Sequence, residues 1–204
     1  YDHLQAVWGR ALEKYGKSGD TTYAFQDGDK KVNLIGARGF SAVTMEPVEK
    51  NTNTAWDDAM IVIWKDGGVK HVKVFQLSTE QNTDGGIACL LPEMHLYWIH
   101  FHKVNNTWED ISTLSAWKKG LKYRALKCHP DGVQCIYEDK DDSTNSTQDN
   151  GEKRYRDKAI NIHYGGEKDS PAGWSLGCQV LKGWANFKDF LKLVEADTSI
   201  KGTI

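Results

Sequence analysis

The chain has no long apolar run, no strong excess of charge of either sign and no C-x-x-C pair. With nothing approaching the ~18–20 consecutive apolar residues that cross a bilayer, no transmembrane segment is expected. The formal net charge of −2 gives no electrostatic reason to expect nucleic acid or an anionic membrane as partner. Four cysteines, at 89, 128, 135 and 178, are too few for a disulfide scaffold, and their spacing suggests neither zinc nor a thioredoxin-like site. No repeat and no linker divides the 204 residues, so one domain over 1–204 is expected. An initiator Met and a signal-like segment are also missing. Tyr1 therefore reads as the start of a processed chain, any export signal being already gone.

What is present is an ordinary globular composition, 39 % hydrophobic and 26 % charged, with eight Trp and eight Tyr. That many large aromatics can build a core or line a groove for an extended polar ligand. Leu4, Val7, Trp8, Ala11, Leu12 and Tyr15 recur at helical spacing before Gly16 and Gly19, which predicts an N-terminal helix within 1–20. Short β-like runs follow at Lys31–Ile35, Ala59–Trp64, Val69–Gln76, Leu96–Lys103 and Leu121–Lys127. Asp66-Gly67-Gly68 marks a hairpin turn between two of them, and His129-Pro130-Asp131-Gly132 suggests a second hairpin. Residues 138–158 are polar and read as a surface loop. Ala159–His163 reads as a strand, and Asn186 as the cap of a helix with Phe187, Phe190, Leu191 and Val194 on its apolar face. The fold class expected is mainly β (α+β), with a helix near each end.

Chemistry concentrates at one place. A histidine, His163, ends a short strand and is followed by Tyr164, Gly165 and Gly166; Cys178 follows in Ser175-Leu176-Gly177-Cys178-Gln179. A cysteine attacks as its thiolate, so it needs a base or a positive environment, and donors for the oxyanion that forms. Gly177 directly before the cysteine lets backbone N–H groups approach a reacting carbonyl. His before Cys in the chain argues against papain-like peptidases, where the order is reversed.

The two segments Ile162-His163-Tyr164-Gly165-Gly166 and Ser175-Leu176-Gly177-Cys178-Gln179-Val180 resemble the active-site signature of the YkuD-type L,D-transpeptidase and L,D-carboxypeptidase family. The resemblance implies a β-sandwich catalytic domain that cleaves or rejoins peptidoglycan stem peptides through a cysteine thioester. It implies Cys178 as nucleophile, His163 as base, the Tyr164 carbonyl as the group orienting the imidazole, and the N–H groups of Gly177 and Cys178 as oxyanion donors. Ser175 and Gly177 match the shorter motif. Leu176 and Val180 stand where the family has His and Arg, so the resemblance implies a divergent branch. Arg38 is a candidate replacement for the clamp on a substrate carboxylate, its planar fork suiting such groups. Trp174, Gly165, Gly166 and Gln179 complete the expected substrate-binding set, and Trp56, Asp57 and Asp58 are candidates for another wall of the cleft. The implied partner is peptidoglycan or a muropeptide, met by an exported protein with no cofactor. Transfer to water or to an amine stays open, and so does a non-catalytic wall- or carbohydrate-binding module whose aromatics stack on sugars.

The remaining patterns read more plainly. His95, His100 and His102 place two imidazoles on one strand face, but no ligand of suitable spacing accompanies them and no metal site is expected. Asp139, Asp141, Ser143 and Asn145 have the spacing of a calcium loop, yet Thr144 and Asn150 stand where Gly and Glu are required. Cys128 and Cys135 flank the Pro-Asp-Gly turn, where a two-residue Asp131-Gly132 turn would bring them close enough to bridge and a bulged type I turn would separate them.

Overall fold

A computed structural model describes residues 1–15, 23–49, 55–79, 88–90, 95, 97–102, 123–128, 131, 133–137, 155–171, 175 and 177–197. Helix α1 (Asp2–Tyr15) is followed by β1 (Val32–Ala37), β2 (Asp58–Asp66) and β3 (Val69–Ser78). Then come β4 (Ala88–Leu90), β5 (Tyr97–His102), β6 (Tyr123–Cys128), β7 (Val133–Tyr137) and β8 (Tyr155–Asp157). Strands β9 (Asn161–Tyr164) and β10 (Gln179–Leu181) precede helix α2 (Trp184–Ala196). A seven-stranded mixed sheet runs in the order β1-β2-β3-β10-β9-β6-β5, and a three-stranded sheet in the order β4-β7-β8. The architecture is α+β and mainly β. Among the described residues no helix is long and apolar enough to cross a membrane.

The β2–β3 hairpin forms as its turn residues require. Asp66 pairs with Val69, and Gly67 and Gly68 have φ of 58° and 78°, the positive pair of a type I′ turn. Strand β2 is apolar on both sides because both sides are covered. Met60 and Val62 join Phe75, Leu77, Ile162, Tyr164 and Leu181 under α2, which contributes Trp184, Phe187, Phe190, Leu191 and Val194. Ala59, Ile61 and Ile63 face the other way, against Tyr1, Leu4, Phe25 and Phe40. This burial pattern explains why 59–63 reads as a continuous apolar run. Asn33 fastens the preceding segment to β1 with both ends of its amide, accepting from Gln26 N–H at 2.8 Å and donating to Gln26 O at 3.0 Å.

Three local expectations are corrected. Strands β6 and β7 belong to different sheets, so they form no hairpin: β6 pairs with β5 and β9, β7 with β4 and β8. Leu126, in register with Ile162, is buried under α2, and this carries β6 to the large sheet. Cys128 and Cys135 still meet in one small core with Val133 and Ile160, as free thiols. The polar stretch 138–158 ends in strand β8, its earlier part lying outside the described residues. Helix α2 begins at Trp184 after Gly183, not at Asn186, which sits in the first turn with its amide on Lys182 O at 3.2 Å. The cap comes from elsewhere. Glu167 Oε1 accepts the Trp184 N–H at 2.6 Å, and a carboxylate there also meets the positive end of the helix dipole.

Candidate active site

Strands β9 and β10 lie side by side and parallel near the middle of the large sheet, with Ile162 opposite Gln179, His163 opposite Val180 and Tyr164 opposite Leu181. Side chains alternate along a strand. Ile162, Tyr164 and Leu181 enter the core under α2, so His163 and Val180 occupy the opposite face. Cys178 directly precedes β10, the neighbour of the strand that carries His163, and its Sγ meets the Asn161 N–H and the Ala159 carbonyl where the chain enters β9. The histidine and the cysteine thus stand on adjacent segments of the sheet.

His163 is buried, and its Nδ1 lies 2.8 Å from the carbonyl oxygen of Tyr164. A carbonyl can only accept, so Nδ1 carries the proton and Nε2 is the basic nitrogen of the neutral ring. Tyr164 itself is anchored: its ring packs edge-on against Trp184 at 5.2 Å, and its hydroxyl donates to Glu167 Oε1 at 3.1 Å. Desolvation, with Glu167 adding to it, holds the Tyr164 phenol well above its ordinary pKa. It is a fixed neutral strut whose backbone oxygen aims the imidazole.

Cys178 is half-buried. Its Sγ donates to Ala159 O at 3.3 Å and accepts the Asn161 N–H at 3.3 Å. Its own N–H donates to Ser175 Oγ at 2.8 Å. Burial pushes the thiol above its ordinary pKa, while hydrogen bonds from Ser175 and from the Asn161 backbone and side chain pull the other way. At rest this is a protonated thiol in a cradle of donors. The Cys178 N–H expected for the oxyanion is engaged by Ser175, so an oxyanion has to share or displace that bond.

Around the pair, the expected contact residues divide into several roles. Gly177, with φ of 140°, needs the conformational freedom of glycine. Its carbonyl accepts from Gln179 Nε2 at 3.3 Å, while Gln179 Oε1 accepts the Tyr97 hydroxyl at 3.0 Å. Gln179 is buried on the α2 side of the sheet, where it holds the Gly177 carbonyl. Gly165 and Gly166 are buried and continue the β9–β10 pairing, through Gly165 N–H to Leu181 O at 2.9 Å and Gly183 N–H to Gly166 O at 2.8 Å. Trp56 covers Gly165 and is pinned by Nε1–H donating to Lys168 O at 2.9 Å. Trp174 and Leu176 lie outside the described residues, as does the calcium-like loop.

Arg38 sits past the end of β1, Asp57 before β2, Thr79 past the end of β3 and Cys178 before β10. Antiparallel pairing gathers those ends on one edge of the sheet. Arg38 Nε donates to Thr79 Oγ1 at 3.0 Å, and that hydroxyl donates to Asp58 Oδ2 at 2.7 Å. Asp58 also accepts the Thr79 N–H and the Gly39 N–H, both at 2.7 Å, and is almost fully buried. Asp58 is thus a structural clasp that holds Arg38 at the site's edge through Thr79. Sequence reasoning missed Thr79, Tyr97 and Asn161. Only Asn161 left a trace, standing two residues before His163 and so on its face.

Among the described residues no three His, Cys, Asp or Glu side chains gather as a metal site. His100 and His102 lie on β5, and His95 precedes it. In comparisons with known proteins, no family model, no curated protein and no solved structure matches this chain.

Proposed function

We propose that the chain is an exported, YkuD-like cysteine enzyme that cleaves or transfers peptidoglycan stem peptides through a Cys178 thioester. The observation that carries this reading is the hydrogen bond from His163 Nδ1 to Tyr164 O, in the strand next to the segment that carries Cys178. With Nδ1 donating there, Nε2 is the nitrogen that accepts the proton in this reading, from a thiol that burial keeps protonated.

The steps follow from those positions. Sγ turns from Ala159 O toward His163, and Nε2 takes its proton. The thiolate bonds to the stem-peptide carbonyl carbon, and the Cys178 N–H passes from Ser175 to the oxyanion. The C–N bond breaks, the imidazolium protonates the departing amine, and a thioester remains. Water or an acceptor amine then adds, giving its proton to His163 and releasing Cys178. In this reading Arg38 clamps a carboxylate of the substrate, Val180 being buried where the resembling family carries Arg.

The test is mass spectrometry of the intact protein and of its products with purified muropeptides. An acyl adduct on Cys178, together with shortened or joined stem peptides, is expected from the parent chain; Cys178→Ala should give neither. Turnover that survives Cys178→Ala overturns the reading. Tight muropeptide binding with no turnover in the parent chain favours a wall-binding module instead.

A further inference from the structure

We infer that Asn161 is a positioning residue for the Cys178 thiolate, holding the carbonyl of Ala159 so that the sulfur can ionise beside it. The inference rests on Cys178 as the reactive thiol but goes beyond the family motif, which does not include this position. Sγ lies 3.3 Å from Ala159 O and 3.3 Å from Asn161 N, so the sulfur is bracketed by one acceptor and one donor. While the thiol is protonated, the S–H satisfies that acceptor. Once the proton leaves for His163, a carbonyl lone pair and a thiolate face one another at hydrogen-bond distance, and that contact is repulsive.

The Asn161 side chain meets that difficulty. Its Nδ2 donates to the same Ala159 oxygen at 3.0 Å. The amide therefore draws the carbonyl's negative end onto itself, while the Asn161 N–H points at the sulfur. A hydrogen bond from the Asn161 side chain also favours the ionised sulfur, alongside that from Ser175. Asp157 fixes the other end of the turn, its Oδ1 accepting the Ala159 N–H at 2.7 Å. Asp157 sits on the acidic side of the balance: its charge disfavours the thiolate. Asp157 acts against ionisation, and the other titratable groups coupled to the sulfur are the Cys128 and Cys135 thiols and the Tyr97 phenol, all of which burial holds in the neutral form; His163 takes the proton in the proposed reaction. Asn161 is the neutral group that tips the contact with Ala159.

The experiment is the pH dependence of Cys178 alkylation by iodoacetamide in the full chain, read by mass spectrometry of the Cys178 peptide. No substrate is involved. Asn161→Ala is expected to raise the alkylation midpoint by about one pH unit and slow the reaction at neutral pH about tenfold. Asn161→Leu keeps the size but cannot donate and adds no charge, and should raise the midpoint as far. A role in packing alone predicts a parent-like midpoint for Asn161→Leu. Midpoints unchanged in both variants overturn the inference, and if Asn161→Ala fails to fold, Asn161→Leu alone decides. A raised midpoint with no muropeptide turnover in the parent chain upholds the inference while removing the peptidoglycan reading.

Discussion

Gly165 approaches Val180 so closely that a Cβ on the glycine would fall 2.6 Å from the valine Cβ and 2.8 Å from Cη2 of Trp56. The Val180 Cβ belongs to a paired strand and cannot retreat, while the indole is pinned at Lys168 O. Gly165 is therefore a spacer that lets β9, β10 and Trp56 close up on the face that carries His163. Gly165→Ala is expected to cost about 1–3 kcal/mol by overpacking, measured by urea unfolding. Combining it with Trp56→Ala should cost less than the sum of the two single changes, because one of the two clashes is gone. Unchanged stability with an altered KM would instead make Gly165 a substrate contact.

A second prediction concerns the clasp at Asp58. Three donors converge on its two oxygens, and the residue is almost fully buried. Asp58→Asn keeps the shape but turns one oxygen into an NH2 group that must face an N–H or hydroxyl donor. A loss of about 2–4 kcal/mol is expected from that mismatch. Thr79→Val is gentler, removing only the hydroxyl between Asp58 and Arg38. It should leave the fold intact, destabilised by about 1–2 kcal/mol, and raise KM for stem peptides more than it lowers kcat. Equal losses in kcat and KM would show that Arg38 is not a substrate clamp.

These two neighbourhoods show what a sequence can and cannot disclose. The Gly67-Gly68 turn and the apolar face of α2 are local: a dipeptide and a spacing suffice, and both appear where expected. The candidate site also left a local trace, in the glycines beside His163 and Cys178. The β6–β7 hairpin fails because strand partners are chosen by burial at long range. A turn motif cannot compete with Leu126 packing under α2. The parallel β9–β10 pair, which defines the site, joins segments separated by a turn-rich stretch with no pairing signal of its own. The clasp among Arg38, Asp58 and Thr79 needs three strand ends at one edge, which only the sheet order supplies.

The third prediction follows from the His163 tautomer. Because Tyr164 supplies a backbone oxygen, no side-chain substitution removes the orienting bond, and the test falls on the imidazole itself. His163→Ala should lower kcat for muropeptides by about 10²–10⁴ with little change in binding. It should also slow Cys178 alkylation near neutral pH without altering that of a small free thiol. Parent-like kcat in His163→Ala would assign the base elsewhere.

The last prediction is a pH dependence of stability set by Cys135. Burial, with Asp157 adding to it, pushes this thiol from its ordinary value of 9.0 up to about 12. The folded chain therefore keeps a proton on Cys135 over a range where the unfolded chain has lost it. Between about pH 9 and 12 the native state binds more protons than the unfolded state, so stability falls as pH rises, by up to about 1.4 kcal/mol per pH unit from this group. Below pH 9 the contribution is complete and flat. Cys128 shares the small core and its thiol is raised in the same direction, again mainly by burial, so it adds to the slope. Cys135→Ala should flatten the alkaline limb of a urea-midpoint profile while costing some stability at pH 7 through the space it leaves. The phenols of Tyr97 and Tyr164, both raised, still produce a fall above pH 10, which serves as an internal control. An alkaline limb with the same slope in Cys135→Ala and in the parent would mean that the thiol is solvated in solution and that this small core opens before the sheet does.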